Sequence, residues 1–479
     1  MKTTTYLAVI ALLVAPALAV AQATKTSYFM TSAHARHYLN PALYPDRGYI
    51  GVPLSGNIHA GAATNTFTLD NFVFLQGNDP ASPAKNVTFL HKDVTPEQFL
   101  AGISDHNYLS ASASVDLLSM GFRGKKAFWN VHVGTRVRAD VDLPRSLFEL
   151  LKVGFVDQDA PSTTYDLSGI QLSARAHVEV GLGYARSFIG GRLHAGVRPK
   201  LLLGVGEMHV AAEQLKVAAG QDFWQIQSRS SLAFSAPGIT PKLKGETGAL
   251  DGFDFDWNGI PGYGAALDLG ASLRLIDLGP AGRLTVSAAA NDIGFIKWAP
   301  TSTYRASTAG TTVTIRPNDY SVGQSGEDSS IEDILDDALD AIESGLDFFT
   351  DDQESGKSRS TSLNVSLNLG LEYSLFGDRF SVGALYSREQ AAGYDMNTCT
   401  LSANLRPCSW FAASASYAVL TARPSKSVGF AMHISPRVGP ALFIASDCAF
   451  SKLSKEFVPV GARDLNFQVG LTFNTGGGR

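Results

Sequence analysis

From Leu363 to Leu375 the chain alternates without a break. Leu363, Val365, Leu367, Leu369, Leu371, Tyr373 and Leu375 are apolar, while Asn364, Ser366, Asn368, Gly370, Glu372 and Ser374 lie between them. Successive side chains of an extended strand point to opposite faces, so this segment makes a β-strand with one oily and one wet face. Its thirteen residues exceed the about 5–6 of a strand in a soluble sheet and satisfy the about 9–11 that cross a bilayer at a tilt.

The pattern recurs. Between Ile170 and Tyr184 the residues Ile170, Leu172, Val178, Val180 and Leu182 alternate with Gln171, Ser173, Arg175, His177 and Glu179. Trp129, Val131, Val133 and Val137 alternate with polar partners that include His132, Arg136 and Arg138, and Tyr263 to Leu275 sets Asp268 and Arg274 on its polar side. A face carrying both signs of charge needs water, and the opposite face needs an apolar cover. Apolar helices to supply that cover are missing from the sequence, which leaves lipid hydrocarbon.

The expected fold class is therefore all-β: a closed antiparallel transmembrane β-barrel of about 14–16 strands, with an N-terminal plug-like segment and one inserted amphipathic acidic helix. Candidate strands begin near Tyr49, Asn107, Ala127, Gly169, Arg192, Asp222, Gly262, Arg283, Ser302, Ser360, Arg379, Asn397, Trp410, Lys426, Ala441 and Asp464. That is about sixteen. Fourteen is equally tolerable, because Arg192 to Val217 and the weak segments near Ser302 and Ala441 are open to miscounting, and single-chain barrels use even numbers.

Composition agrees. Charged residues are 17% of the 479, below the roughly 25% of soluble domains, and glycines number 46. Mean hydropathy is +0.03, far too low for a bundle of membrane helices. A net charge of −5 with no basic cluster points away from nucleic acid. Three cysteines leave at least one thiol free; Cys399 and Cys408 read as lying on two neighbouring strands, where a bridge would need facing positions.

The chain opens with Met1-Lys2, an apolar stretch from Tyr6 to Val20, and the small-x-small run Ala19-Val20-Ala21. These are the parts of a signal peptide, residues 1–21, cut before Gln22, with no cysteine following to mark a lipoprotein. Residues 22–48 then form an N-terminal periplasmic or plug segment, 49–474 the barrel, and 475–479 a short tail. The segment from Asn65 to His106 is a second plug candidate, with Thr95 to Leu100 as a short capped helix inside it. In the last strand Leu465, Phe467, Val469, Leu471 and Phe473 alternate with polar residues, so Leu465 to Phe473 resembles the signal read by the barrel assembly machinery of the outer membrane.

Between Glu327 and Glu354 there are twelve acidic residues and no lysine or arginine, so the rest of the chain sums to about +7. Ile331, Ile334, Leu335, Ala338, Ile342, Leu346 and Phe349 recur at helical spacing, and Ser329 with Glu332 makes a capping box. This predicts an amphipathic helix over about 327–352, with Glu332, Asp333, Asp336, Asp337, Asp340 and Glu343 as a docking surface for an envelope protein partner. The bland alternative is a loop helix laid on the barrel rim with its acidic side in water. The carboxylates follow helix spacing and no calcium loop motif occurs.

No His-Glu-x-x-His, Cys-x-x-Cys or Gly-x-Ser-x-Gly motif is present, so the expectation is no enzyme, no cofactor and no metal. Of ten histidines, His132 and His177 should face the lumen and His433 lies in another strand. A barrel hydrolase would need a lumenal Ser or Asp within hydrogen-bond reach of one of them.

Asn40-Pro41-Ala42 stands just ahead of the first strand, and by itself reads as an ordinary turn. It resembles the Asn-Pro-Ala near the mature N-terminus of the long-chain fatty-acid transporter type of barrel, where the segment folds into the lumen. That resemblance implies a plug containing Asn40, Pro41 and Ala42. More broadly, Arg36 to Ala42, then Asn107-Tyr108-Leu109 leading into Ser114 to Arg123, then Leu143 to Leu151, resemble an uncharacterised family of Bacteroidota outer-membrane proteins, a domain of unknown function. The resemblance is most specific over residues 28–155. It implies a cell-envelope barrel in contact with outer-membrane lipid, and no substrate. Two readings follow: a channel or transporter-like barrel for a small solute, a hydrophobic one included, or a non-transport barrel serving as scaffold or docking partner in secretion, motility or surface attachment.

Overall fold

The computed structural model describes residues 24–76, 85–154, 163–219, 224–243, 250–256, 259–308, 311–315, 350–351, 356–390, 394–420, 425–448 and 464–476. Its wall is a closed antiparallel barrel of fourteen strands. In chain order these are β1 (Gly48–Gly51 and Ile58–Thr64), β2 (His106–Arg123), β3 (Ala127–Pro144), β4 (Gln171–Phe188) and β5 (Leu193–Ala219). Next come β6 (Trp224–Ser235 and Gly262–Asp277), β7 (Arg283–Trp298, continued by Thr303–Ser307 and Thr311–Ile315) and β8 (Arg359–Ser362 and Ser366–Leu375). The remainder are β9 (Phe380–Gln390), β10 (Asp395–Cys408), β11 (Phe411–Leu420), β12 (Ser425–Ile434), β13 (Val438–Ser446) and β14 (Asp464–Gly476). Each strand pairs with the next, and β14 closes on β1 through pairs such as Ile58 with Val469, leaving no unpaired edge.

Burial runs opposite to that of a soluble protein. On β8, Leu367, Leu369 and Leu371 are 40%, 53% and 47% exposed, whereas Asn368 between them is 3% exposed. Phe122, Trp129, Leu182, Leu201, Phe295, Leu401, Phe430 and Phe467 likewise point outward, and Asp116, Glu179, Arg198 and Gln468 point in. An exposed apolar belt with buried charges inside it is stable only against hydrocarbon, and the ladder pairing of neighbouring strands satisfies the backbone there. No helix among the described residues is long and apolar enough to cross a membrane.

Two of the sixteen sequence segments merge into others. The segments beginning near Asp222 and Gly262 share the β6 position, because the chain leaves the wall after Ser235 and is back in it at Gly262. β5 is long enough to pair with both halves: Leu193 to Gly204 with Leu273 to Gly262, and Glu207 to Ala219 with Ser235 to Trp224. The segments near Arg283 and Ser302 are likewise one strand, β7. The alternation is lost where the chain leaves the sheet, so it counts runs rather than wall positions. A second correction concerns Cys399 and Cys408. Both lie on β10 rather than on neighbouring strands, nine residues or about 30 Å apart, and both thiols are free.

The two barrel ends differ. At one, consecutive strands are joined by two to five residues; at the other lie the long connections. The connection from β1 to β2 carries a helix at Pro96–Leu100, closed by a capping box in which the Thr95 side chain accepts from the Gln98 backbone. Its Phe72, Phe89 and Phe99 pack on Phe148 of the helix Arg145–Val153, a separate aromatic core at the long-loop end.

Candidate functional site

Residues 24–47 lie inside the barrel. Near the long-loop end, Thr24 donates its backbone N–H to Gln468 Oε1 at 3.0 Å, and Lys25 and Thr26 donate theirs to the Asp447 carboxylate at 2.9 and 2.8 Å. At the short-turn end, Arg47 Nη2 donates to the Ser409 carbonyl at 2.7 Å, in the turn between β10 and β11. The segment therefore threads the lumen lengthwise before β1 begins. Its side chains fill the space: Tyr28, Phe29, Met30, Tyr38, Leu39 and Leu43 are all buried.

Asn40, Pro41 and Ala42 occupy the inner wall against β5 and β6. The Ala42 N–H donates to Asn40 Oδ1 at 2.9 Å, closing a tight turn, and Asn40 Nδ2 donates to the Tyr28 hydroxyl at 3.0 Å. The Leu39 carbonyl accepts from Asn291 Nδ2 at 2.9 Å and Asn368 Nδ2 at 3.1 Å, on β7 and β8. A Cβ at Gly196 of β5 would come within 2.4 Å of the Pro41 backbone, so only glycine leaves room there.

Beside this turn, five adjacent strands contribute a buried ionic belt. Arg198 and Lys200 of β5 hold Asp268 of β6 at 2.6 and 2.8 Å, and Lys200 also pairs with Asp292 of β7. Glu179 of β4 forms an ion pair with Arg136 at 2.8 Å and accepts from His132 Nε2 at 2.9 Å, both on β3. Three cations thus face three carboxylates, and removing one partner of such a buried pair costs about 3–5 kcal/mol. The N-terminal segment docks onto the belt through Tyr38. Its hydroxyl donates to Asp116 of β2, its carbonyl accepts from Arg198 Nη2 at 3.3 Å, and the Arg198 guanidinium sits 4.9 Å from its ring centroid.

Cavities lie on either side of the segment. On the long-loop side a cavity of about 40 Å³ is lined by Tyr38, Leu39, Asp116, Arg136, Asn368 and Glu389. On the short-turn side a cavity of about 250 Å³ touches Phe29, Arg36, Ala42, Leu43 and Asp46. Burial of the intervening segment keeps its histidines neutral: the His34 pKa is lowered to about 4, and that of His37 falls well below its ordinary value.

Of the histidines considered from sequence, His132 and His177 face inward, the first fully buried on Glu179. His433 Nδ1 stands 3.1 Å from Ser32 Oγ. The adjoining cavity is about 10 Å³, too small for a substrate's acyl group. Glu332, Asp333, Asp336, Asp337, Asp340 and Glu343, and the signal-peptide region 1–21, lie outside the described residues. The sequence placed His132, Arg136, Glu179 and Asp268 on polar strand faces without pairing them, and gave Arg36 and Tyr38 no part beyond the resemblance carried by Arg36 to Ala42.

No curated protein matches this sequence. Among solved structures, the Ralstonia pickettii toluene transporter TbuX is similar at 8% identity over 95% of this chain and 94% of that one, with a TM-score of 0.37. The P. putida toluene transporter TodX shows 10% identity over 92% of both chains, TM-score 0.34. A Pseudomonas aeruginosa FadL homologue shows 9% identity over 95% of this chain and 99% of that one, TM-score 0.39. The profile of a family of unknown function, DUF5723, matches residues 41–447, from the Pro41 of the lumenal turn to the Asp447 that holds the segment's start, and the chain belongs to that family.

Proposed function

We propose that this protein is an outer-membrane barrel that passes a small solute, with residues 24–47 as the plug that sets when it does so. The observation carrying this reading is the placement of the segment between two cavities, held by side-chain hydrogen bonds and one ionic contact region rather than by a strand of the wall. A scaffold has no need of a cavity at each end of a removable filling. Barrels of this kind carry short turns on the periplasmic side and long loops outside, which puts the 250 Å³ cavity towards the periplasm. Export through the signal peptide, outer-membrane lipid around the apolar belt, recognition of Leu465 to Phe473 by the assembly machinery, and a Bacteroidota origin complete the proposal. The docking alternative rests on residues 327–352, most of which lie outside the described residues.

Single-channel conductance and liposome swelling test it. The native chain should show low, flickering conductance. Replacing Asn291 and Asn368 together by alanine frees the Leu39 carbonyl and should raise the open fraction several-fold, at about 0.5–1.5 kcal/mol per lost hydrogen bond. Equal impermeability of both proteins to every solute offered would refute transport.

A further inference from the structure

Every short turn but one carries a large apolar residue at or beside its tip. These are Ile189 between β4 and β5, Leu278 between β6 and β7, Phe376 between β8 and β9, Trp410 between β10 and β11, and Val438 at the start of β13. Their exposure runs from 54% at Trp410 to 68% at Ile189. Two of them sit there against backbone preference. Ile189 and Phe376 have φ of 51° and 55°, and the glycine after each has φ of 61° and 67°. A hairpin turn with positive φ at both positions favours Asn or Asp before the glycine, and a bulky or β-branched side chain there is an outlier. Strain kept at such a position points to a use for the side chain.

The same end is basic. Lys125, Lys126, Arg186, Arg192, Arg379 and Arg437 are exposed there, and none is in an ion pair among the described residues. The nearby carboxylates are engaged elsewhere: Asp277 holds Arg274 and Arg283, Asp378 holds Arg283, and Asp46 holds Arg406. The lipid-facing belt reaches this level, with Phe122, Trp129, Phe188, Leu275 and Tyr373 exposed within a few residues of the turns. The Arg186 guanidinium lies 5.6 Å from the Phe188 ring centroid, at the edge of that belt. The tips are thus continuous with the surface covered by hydrocarbon and stand where headgroups begin, a level at which arginine and lysine meet lipid phosphate. We infer that the short-turn end is a binding collar for anionic phospholipid, with acyl chains against the apolar tips and phosphates on the cations between them. This goes beyond the transport reading and does not rest on it.

Tryptophan quenching tests it, with the full chain in phosphatidylcholine bilayers that carry brominated phosphatidylglycerol or brominated phosphatidylcholine. The Trp410 signal, taken as the difference from Trp410→Phe, should be blue-shifted relative to a tryptophan in water. Phosphatidylglycerol should be favoured beside it by at least about fivefold, because each basic residue adds to the attraction for anionic lipid. Salt at about 1 M should erode that preference, and inorganic phosphate should not compete for it. Combining Arg186→Gln, Arg192→Gln, Arg379→Gln and Arg437→Gln should abolish it, while Arg388→Gln on the outer face nearer the long loops should not. Should the fourfold variant lose heat-modifiable migration, Lys125→Gln with Lys126→Gln should still lower the preference about twofold. Equal quenching by the two lipids, a preference that survives in the folded variants, or displacement by inorganic phosphate overturns the inference. So does water-like emission from Trp410, which would put the tips in solution, as docking to an acidic soluble protein requires. Conductance decides the transport reading separately.

Discussion

Asn40 and Gly270 share one small volume of the lumen: a Cβ built on Gly270 would stand 2.1 Å from Asn40 Oδ1 and 2.9 Å from Pro41 Cδ. Plug and wall are therefore matched residue to residue at β6, and the match can be broken from the wall side alone. Gly270→Val should displace the turn, at the about 1–3 kcal/mol typical of overpacking. Heat-modifiable migration should persist, because the wall's backbone pairing is untouched, while conductance rises. A variant as closed as the native chain would show that the turn does not control the passage.

Tyr38→Phe removes the hydroxyl that donates to Asp116, leaving a 5% exposed carboxylate short of a donor. The expected loss is about 1–3 kcal/mol of stability, visible as a lowered thermal midpoint in circular dichroism. Tyr44→Phe should cost less, because its hydroxyl meets His194, not a buried carboxylate, at 2.9 Å near the short-turn end. The reverse ranking would argue against the belt as the plug's main anchor.

Acid should loosen the plug. His34 is enclosed by Tyr49, His433 and Phe443, with Nε2 against the Gly56 carbonyl at 3.2 Å and Nδ1 without a hydrogen-bond partner among the described residues. Its pKa is about 4 when seated and near 6.5 when released, so the released form takes up a proton first as pH falls. Stability of the seated state is therefore full above about pH 6.5, declines by up to about 3 kcal/mol on the way to pH 4, and is flat below. His37 acts in the same direction. Conductance recorded from pH 7.5 to 4 should rise through that window, and His34→Gln should reduce the rise. A pH-independent open fraction would refute this account.

The outer belt gives a prediction about the wall itself. Leu369→Arg places a charge on the lipid face of β8 and should cost about 2–4 kcal/mol of folding free energy in bilayers if it lies near the midplane. Asn368→Ala, one residue away but facing inward, should instead act on the plug through the Leu39 carbonyl. Urea titrations in lipid vesicles, read alongside conductance, separate the two effects. Similar profiles for both variants would contradict the inside–outside assignment of β8.

The wall was legible because burial on one face and lipid on the other write a period of two directly into Leu363–Leu375 and its counterparts. The strand count was less so: the excursion between Ser235 and Gly262 splits one wall position into two runs that look like separate strands. The place of Asn40, Pro41 and Ala42 depends on Gly196 and Gly270, more than 150 residues away, and on space that exists only after the wall has closed. The pairing of Lys200 with Asp268 and Asp292 is likewise a product of register. Alternation put Asp268 on a polar face but could not say what it meets there.

The hydrogen bond from Thr24 Oγ1 to Gln468 Oε1 joins residues 444 positions apart, at opposite extremes of the described chain. Gln468 belongs to the strand that completes the circle, so the upper anchor of the lumenal segment does not exist until that strand has docked. Sealing and closure are thus coupled in time. An assembly intermediate short of its last strand is an open trough with a loose occupant, and the finished ring fixes that occupant in the same step that makes it a ring.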